Sequence, residues 1–486
     1  MKLFRISIIL IVLFSLVTAE SPYKLINPTY LGNEKRNYYG NRIPSRLDII
    51  WRTYLGENIT RIGDRKRVWK GSGWTGQPLL AEENDTLFII HGSLDHYLRK
   101  MNARTGEILW EYKFSDAIKG TGTLWEYEDV IDHKNKLMIV QGSRRGVEYN
   151  TWSSKLYPLR AIGFNSGSEI WRYNVRRGES YSTDVDGTPL IIDNILYLGL
   201  ENAYFIVFDP HPGKTEKYNG YRRPVTMEKH KLYDESDKIL HGQNLVTESA
   251  PARLGDNIYI TAGSGHVYAY SMLKREIVWD FFAGSDIDGS PVVTYDNCIL
   301  VSIEKEYIKG HGGVFKLDPS RPPDSSCVVW YFPTGDDTGS NAIWEGGVIG
   351  SPAVNDHTKG SDMPYMAGFT GIDGYFYLVE HDRIDTSKVW GPNRRHRYHT
   401  PKFIAKRWVG QSISTPLLVG RRAVVGSYSG LSLFEYTADK TLKRLQRHYI
   451  GGIESTPFVF DKRIYVGSKD GYFYCLGEKE EAENGR

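Results

Sequence analysis

Four acidic residues occupy the same position of a repeated unit, and their chemistry points to proton transfer or cation binding. Asp186, Glu248, Asp288 and Glu454 each stand three residues before a proline that opens an apolar run. If the units form a ring, these carboxylates meet at its axis and must be solvated, protonated or neutralised by a cation. An oxygen-rich ring suits Ca2+, so all four are candidate metal ligands. The alternative is that they are solvated turn residues that cap backbone groups.

The first three of these residues are also candidates for catalysis. Asp186, Glu248 or Asp288 could act as the general base that takes a proton from an alcohol. The sequence offers no GxSxG motif for a nucleophilic serine and no CxxCH motif for covalent haem. The catalytic role is therefore one hypothesis, and the identity of the base stays open among the three.

Turns at equivalent positions of the repeated units are predicted to place further residues on this face of the ring. They include Arg144, Glu201, Glu304 and Lys305. Lys305 beside carboxylates could orient an anionic or carbonyl group, or it could form an ordinary surface ion pair.

Aromatic residues are expected on the same face. Trp74, Trp125 and Trp344 stand close to the starts of the units, and Glu345 follows the last of them. An aromatic platform beside carboxylates would suit a sugar ring or a planar cofactor. The alternative is that these rings anchor loops under the rim.

The elements that must position these residues are β-strands in a repeated unit. Each unit has a small polar residue and Pro, an apolar run, a strand ending in Gly-Ser, a tight turn, an aromatic strand and a strand ending in Trp. The openings are Gln77-Pro78, Thr188-Pro189, Ala250-Pro251, Ser290-Pro291, Ser351-Pro352, Thr415-Pro416 and Thr456-Pro457, with an eighth expected near Val130 without proline. Spacings of roughly 40 or 60 residues are typical of propeller blades. The chain is therefore predicted to be all-β, with eight blades of four antiparallel strands, or seven if one unit is degenerate.

The two ends of the repeat region predict how the ring closes. The last unit supplies three strands and then the chain stops, whereas Leu47–Leu55 (LDIIWRTYL) is an isolated strand pattern near the other end. That N-terminal strand would complete the last blade and remove an exposed sheet edge. The predicted organisation is a signal peptide at 1–19, an extension at 20–45, one propeller at 46–477 and a charged tail at 478–486.

The repeats resemble those of the PQQ-like (quinoprotein alcohol dehydrogenase-like) β-propeller family. The resemblance lies in Asn102–Trp110, which contains Thr105-Gly106, and in Asn165–Trp171, with weaker copies at Arg275–Trp279 and Cys327–Trp330. It implies that the terminal tryptophans pack between blades. It also implies that pyrroloquinoline quinone (PQQ) with Ca2+ could bind, although the adjacent cysteines of the alcohol-oxidising members are missing. Other relatives, such as the outer-membrane assembly propeller, only bind proteins.

The termini and composition set the remaining expectations. Lys2 and Arg5 followed by the apolar run 6–17 indicate a secretory signal cleaved near Ala19. The mature chain is then exported, periplasmic or secreted, with no membrane span. Its formal charge falls from +3 to +1, which gives no footprint for nucleic acid. The three cysteines are expected to be buried free thiols, and the protein a monomer.

Two functions from different classes remain open. The favoured hypothesis is a binding or scaffold protein that recognises an unidentified protein, glycan or small molecule through its channel face. The alternative is an oxidoreductase of the alcohol or sugar dehydrogenase type that depends on PQQ and Ca2+.

Overall fold

The structure, a computed structural model, is a ring of eight four-stranded antiparallel sheets. It describes residues 21–127, 136–148, 150, 152–153, 155–336 and 344–479. The predicted signal peptide, Val130 and residues 480–486 of the predicted tail lie outside the described residues. The prediction of an eight-bladed all-β propeller is confirmed.

Each blade runs outward from the axis, and its strands follow one another along the chain. From inner to outer strand, the first four blades are Leu79–Glu83, Thr86–Gly92, Tyr97–Asn102, Ile108–Lys113; Thr123–Glu126, Leu137–Gly142, Leu159–Gly163, Glu169–Tyr173; Leu190–Ile192, Ile195–Leu200, Tyr204–Phe208, Thr226–Lys231; and Ala252–Leu254, Asn257–Thr261, His266–Ser271, Glu276–Phe282. Blades 5 to 8 are Val292–Val293, Ile299–Ile303, Gly313–Leu317, Val328–Pro333; Ala353–Val354, Met366–Thr370, Tyr375–Trp390, Arg397–Trp408; Leu417–Val419, Arg422–Ser427, Gly430–Tyr436, Leu442–His448; and Phe458–Phe460, Arg463–Gly467, Tyr472–Gly477, Asp48–Tyr54.

The N-terminal strand closes the ring as the sequence predicts. Asp48–Tyr54 pairs antiparallel with Tyr472–Gly477, with Asp48 opposite Gly477 and Tyr54 opposite Tyr472. The outer edge of blade 8 therefore comes from the opposite end of the chain. This pairing buries Cys475, and Cys298 and Cys327 are likewise buried and unpaired.

The segment before this strand fills the end of the channel that lies away from the acidic residues. Tyr23–Asn27 adds a fifth strand inside blade 1, against Leu79–Glu83. The chain then crosses the channel, and buried Arg36 donates from Nε to the Pro251 carbonyl oxygen at 2.8 Å. The Tyr30 hydroxyl lies 2.9 Å from Thr415 Oγ1. We call residues 22–45 the plug.

Tryptophans on outer strands fasten five of the blades to the next one. Their indole N–H groups donate to backbone carbonyls of the following blade over 2.8–3.1 Å. The pairs are Trp51 with Ala103, Trp110 with Phe164, Trp171 with Pro210, Trp279 with Arg321 and Trp330 with His381. The large ring fills the gap that opens between two twisted sheets, and the bond satisfies its one donor. The predicted packing of Trp110, Trp171, Trp279 and Trp330 between blades is confirmed.

Few elements lie outside the blades. Two hairpins, Glu57–Ile62 with Arg65–Lys70 and Thr215–Tyr218 with Tyr221–Pro224, sit on the ring, and short 3-10 turns cover Pro212–Lys214 and Ser325–Cys327. A single α-helix among the described residues, α1 (Asp237–His241), precedes blade 4. In the part of the chain that the structure describes, no helix has the length and apolar character needed to cross a bilayer.

Candidate functional site: an acidic channel mouth

The inner strands begin at one face of the ring, and the residue three positions before each opening lies around the channel mouth. In chain order this mouth ring contains Thr75, Lys119, Asp186, Glu248, Asp288, Ile349, Ile413 and Glu454. The inner strands approach closely here, since a Cβ on Gly120 would lie 2.0 Å from the Asp186 carbonyl oxygen. This close approach brings the side chains of neighbouring positions together.

Lys119 is the cation of the mouth ring, and the sequence analysis missed it. Its Nζ forms an ion pair with Asp186 and lies 3.7 Å from Glu248 Oε1. Blade 2 begins at Thr123, with Gly122 in place of the usual proline, and not near Val130 as expected. The missing proline hid the position, although counting back from the Gly120-Thr121 pair would have revealed it.

Carboxyl groups gather beside Lys119 in two clusters. Asp186, Glu201 and Glu248 present oxygens within 4.8 Å of one another, and Asp286, Glu304 and Glu306 do the same. Asp288 lies between the clusters and is influenced by the charges of Asp286 and Glu248. Seven carboxyl groups of the described residues therefore lie in this half of the mouth, and Lys119 forms ion pairs with two of them, Asp186 and Glu248. Asp184 lies nearby but has its own cationic partner, because Arg144 Nε contacts its Oδ2 at 2.8 Å.

Burial makes this accumulation of negative charge costly. Burial, and then the charge of Asp288, raises the pKa of Glu304 to about 9. Burial raises the pKa of Glu248 to about 7, against the opposing effect of Lys119. The pKa values of Glu201, Asp286 and Asp288 are raised well above their usual range by burial and by neighbouring carboxylates. Glu201 Oε1 and Asp286 Oδ1 are buried without a hydrogen-bond partner. The mouth is thus short of positive charge.

The other half of the mouth is apolar. Trp74, Ile349, Ile372 and Ile413 form a buried cluster, against which Trp344 packs with part of its ring accessible. Ile349 and Ile413 occupy the mouth-ring positions that carry carboxylates in blades 3 to 5. A ligand in the mouth would therefore meet acidic groups on one side and aromatic and aliphatic groups on the other.

The segment around α1 forms a rim beside the acidic half. Asn244 Nδ2 donates to Asp286 Oδ2 at 2.8 Å and to Glu306 Oε2 at 3.3 Å, and also approaches the Tyr307 hydroxyl. Tyr181, Ile239, Leu240 and Tyr307 are large hydrophobic residues on this rim that remain 45–86% exposed. Exposed apolar groups next to a charged pocket are typical of a surface that receives a partner.

The structure brings some of the predicted site residues together and separates others. Asp186, Glu248, Asp288, Glu201 and Glu304 converge in the acidic half. Glu454 does not join them, because it accepts from the Tyr428 hydroxyl and pairs with Lys469 Nζ at 3.1 Å. The structure therefore separates Glu454 from the other three residues of the predicted metal set, and metal binding there stays a prediction. Asp286 and Glu306, which the four-position prediction did not include, take part instead.

Three other predicted residues lie away from the acidic half. Trp125 is inside the inner strand Thr123–Glu126, where it stacks on Tyr127 between blades 2 and 3, so its expected place ahead of the strand is wrong. Lys305 is tied to Asp336 at 2.6 Å in a peripheral ion pair. Arg144 is bound to Asp184 and donates to Thr60 Oγ1. Glu345 is exposed and adds negative charge near Glu304.

The residues of the mouth fit a hard cation better than they fit PQQ. The oxygens of Asp186, Glu201 and Glu248 are donors that Ca2+ prefers, and the ion would neutralise them. PQQ carries three carboxylates of its own, and Lys119, the one cation in contact with the clusters, already serves two carboxylates. Adding those anions to buried carboxyl groups would be repulsive. The quinone therefore does not fit the described residues.

Comparisons with known proteins agree with this architecture. A family model described as outer membrane protein assembly factor BamB matches residues 49–320, more than half of the chain. No curated protein gives a match. Among solved structures, BamB from Moraxella catarrhalis is 13% identical, with a TM-score of 0.54, covering 89% of this chain and 100% of that chain.

Two further solved structures are similar at the level of fold. Quinohemoprotein alcohol dehydrogenase from Comamonas testosteroni is 13% identical, with a TM-score of 0.56 over 95% of this chain and 82% of that chain. The computationally designed Ika8 protein is 12% identical, with a TM-score of 0.51 over 84% of this chain and 100% of that chain. Identities this low show a shared fold and nothing about activity.

Proposed function

The chain belongs to the PQQ-like β-propeller family described as outer membrane protein assembly factor BamB, and we propose that it is an exported binding propeller whose mouth receives a basic segment of a partner protein. The observation that carries the proposal is the imbalance of seven carboxyl groups against Lys119, with an apolar wall opposite. Export is supported by the short apolar run after Lys2 and Arg5.

A basic peptide suits the mouth because its two kinds of group match the two halves. Lysine or arginine side chains would supply the positive charge that the clusters of Asp186 and Asp286 need, through charge-assisted hydrogen bonds. Aliphatic side chains of the same segment would contact Trp344 and the apolar rim near Leu240. Buried charge that is unpaired before binding and paired after it favours association and specificity.

The plug explains why the ligand enters from one side. Residues 22–45 cover the far end of the channel, so the mouth is a cup with a protein floor. Such a cup holds the end or the loop of a partner and does not thread a chain through the ring.

The test is calorimetric titration with a short peptide of alternating lysine and leucine, using the mature full chain. We expect binding that Glu248→Gln and Asp288→Asn each weaken about tenfold, the loss of roughly one charge-assisted contact. Glu454→Gln is the matched control, since Glu454 sits at an equivalent mouth-ring position but is already paired with Lys469. Its affinity should match that of the unmodified protein.

Three results would overturn the proposal. One is equal binding of a peptide in which glutamate replaces lysine, which would remove the charge argument. Another is unchanged affinity in both acidic-half variants. A Ca2+ titration that binds tightly and blocks the lysine peptide would also overturn it, by assigning the clusters to a resident ion.

A further inference from the structure

We propose that a second cluster, at the outer rim of the mouth, is a zinc site built from His266, Asp237 and Asp234. Oxygen and nitrogen atoms of these three side chains lie within 4.8 Å of one another. The cluster is separate from the acidic half of the mouth. His266 begins the third strand of blade 4, and Asp237 begins helix α1 of the preceding segment.

Asp280 orients the imidazole of His266 for metal binding. Its Oδ1 lies 2.6 Å from His266 Nδ1, which leaves Nε2 facing the two other carboxylates. A carboxylate that holds the far nitrogen of a ligand histidine fixes the ring and the tautomer. The fourth strand of blade 4 carries Asp280, so this support comes from the rigid sheet.

The spacing of the donor atoms matches a tetrahedral ion. His266 Nε2 lies 3.3 Å from Asp237 Oδ2 and 3.4 Å from Oδ1, a long contact for a hydrogen bond. Zinc bonds of about 2.0–2.1 Å in a tetrahedron place two ligand atoms about 3.3 Å apart. The separation of His266 and Asp237 is therefore the one expected of two ligands of a tetrahedral zinc ion.

Two buried polar groups beside the cluster make no hydrogen bond of good geometry. They are the ring nitrogens of His241 and the hydroxyl of Tyr268, both on residues at most 5% exposed. His241 lies one turn after Asp237 on α1, and its pKa is lowered by burial and by the charge of His266, against the effect of Asp237. Tyr268 stacks on the His266 ring. Buried polar groups that lack a good hydrogen bond are often satisfied by an ordered water or a bound ion.

The donor set favours zinc over calcium. Imidazole nitrogen combined with carboxylate oxygen suits Zn2+ and related transition ions, whereas Ca2+ selects oxygen alone. Asp234 is exposed, which gives the ion a route from solvent. Three protein ligands then hold the ion, and His241 or water provides the fourth.

The experiment is a Zn2+ titration of the chelator-treated mature protein, with a parallel Co2+ titration followed by visible absorption. We expect one equivalent of Zn2+ to bind and Co2+ to give the strong visible bands of a tetrahedral site. His266→Ala and Asp237→Asn should each weaken Zn2+ binding at least tenfold and abolish the Co2+ bands. His311→Ala is the matched control, because His311 is also a histidine paired with an aspartate, Asp336, but outside the cluster.

The readout separates metal binding from a purely structural role. If the unmodified protein binds no Zn2+, or if His266→Ala binds it equally well, the site is an ion pair between an imidazolium and its carboxylates and the proposal is wrong. A weak, octahedral Co2+ spectrum would also contradict it. Asp280→Asn gives an intermediate test, since it keeps all three ligands but loosens the ring, and we expect about tenfold weaker binding.

Discussion

Lys119 sets the charge balance of the mouth, because it is the one cation that the structure places in contact with the carboxyl clusters among the described residues. Asp186 and Glu248 raise its pKa well above the usual value even though burial lowers it. A buried charge that loses its partner is more costly than a missing pair. The side chains around Lys119 therefore depend on it more than surface acids depend on a neighbouring lysine.

Replacing this lysine should weaken the protein mainly at neutral and alkaline pH. Lys119→Met leaves Asp186 and Glu248 without their partner, so we expect the thermal midpoint to fall by about 2–4 °C at pH 8. The loss should shrink at pH 5, where Glu248, whose pKa burial raises to about 7, takes up a proton. Thermal unfolding at both pH values checks this, with Lys469→Met as the control, since Lys469 pairs with the more accessible Glu454. A loss of equal size at both pH values would contradict the electrostatic explanation.

Glu304 should make the stability of the folded protein fall as the pH rises. Its folded pKa of about 9 exceeds the ordinary value of 4.5, so between these limits the folded chain holds a proton that the unfolded chain releases. The stabilisation is complete below pH 4.5 and is lost as the pH rises toward 9. Glu304→Gln should remove this slope and raise the thermal midpoint at pH 8 by about 1–3 °C. An unchanged slope between pH 5 and 9 would show that Glu304 is not the group concerned.

The sequence located part of this site through repeat phase. Asp186, Glu248 and Asp288 converge as predicted because equivalent positions of a ring face one axis. Lys119 was not predicted because Gly122 replaces the proline that marks the other openings. Glu454 does not join the other carboxylates because its partners, Tyr428 and Lys469, come from other parts of the blades. The position of a residue within the repeat predicts which face of the ring it occupies. Its ion pairs and hydrogen bonds depend on neighbouring side chains that the repeat does not specify.

At the scale of single elements, the outer-strand tryptophan that fastens five of the blades to the next one explains both the sequence pattern and the packing. Trp171 is 1% exposed and donates to the Pro210 carbonyl of the next blade. The strands, their order and the closing strand at Leu47–Leu55 were predictable because each is marked by a local pattern. The path of the plug was not, since its contacts reach several blades and no repeat precedes it.

Two substitutions of Trp171 separate the contribution of the indole hydrogen bond from that of ring packing. Trp171→Phe keeps most of the ring volume but loses the bond to Pro210, and we expect a loss of about 1–3 kcal/mol in the free energy of unfolding. Trp171→Ala also opens a cavity and should cost roughly 3–5 kcal/mol. Urea unfolding measures both. Leu109→Ala, on an exposed neighbouring strand position in blade 1, should change little.

For the whole molecule, the plug joins blades that are far apart around the ring. Arg36 donates to Pro251 in blade 4, while Tyr30 reaches Thr415 in blade 7 and Thr456 in blade 8. Arg36 is fully buried, and burial lowers its pKa to about 9. The eight sheets are therefore held by their neighbours and also across the centre.

Weakening the plug should destabilise the entire ring in one transition. The double variant Tyr30→Ala with Arg36→Ala removes two fully buried side chains, and we expect a loss of roughly 4–6 kcal/mol with a single cooperative urea transition. The same truncations at the exposed pair Ile384 and Arg383, on the long hairpin of blade 6, should cost well under 1 kcal/mol. A separate early transition confined to the plug would show that it is only loosely coupled to the blades.

The dual use of the N-terminal segment has a consequence for biosynthesis. The residues that complete blade 8 and floor the channel precede blade 1 in the chain, yet Asp48–Tyr54 pairs with Tyr472–Gly477, which follows blade 7. A ribosome, or a translocation pore that admits the chain from its N-terminus, releases these early residues long before their partners exist. Blades 1 to 7 can form in turn, but the ring cannot close until Tyr472–Gly477 has been synthesised and has emerged. During that interval the segment 22–54 lacks its partners, and protecting its unpaired strand Asp48–Tyr54 from wrong pairing is a task for the chaperones of the compartment in which the chain emerges.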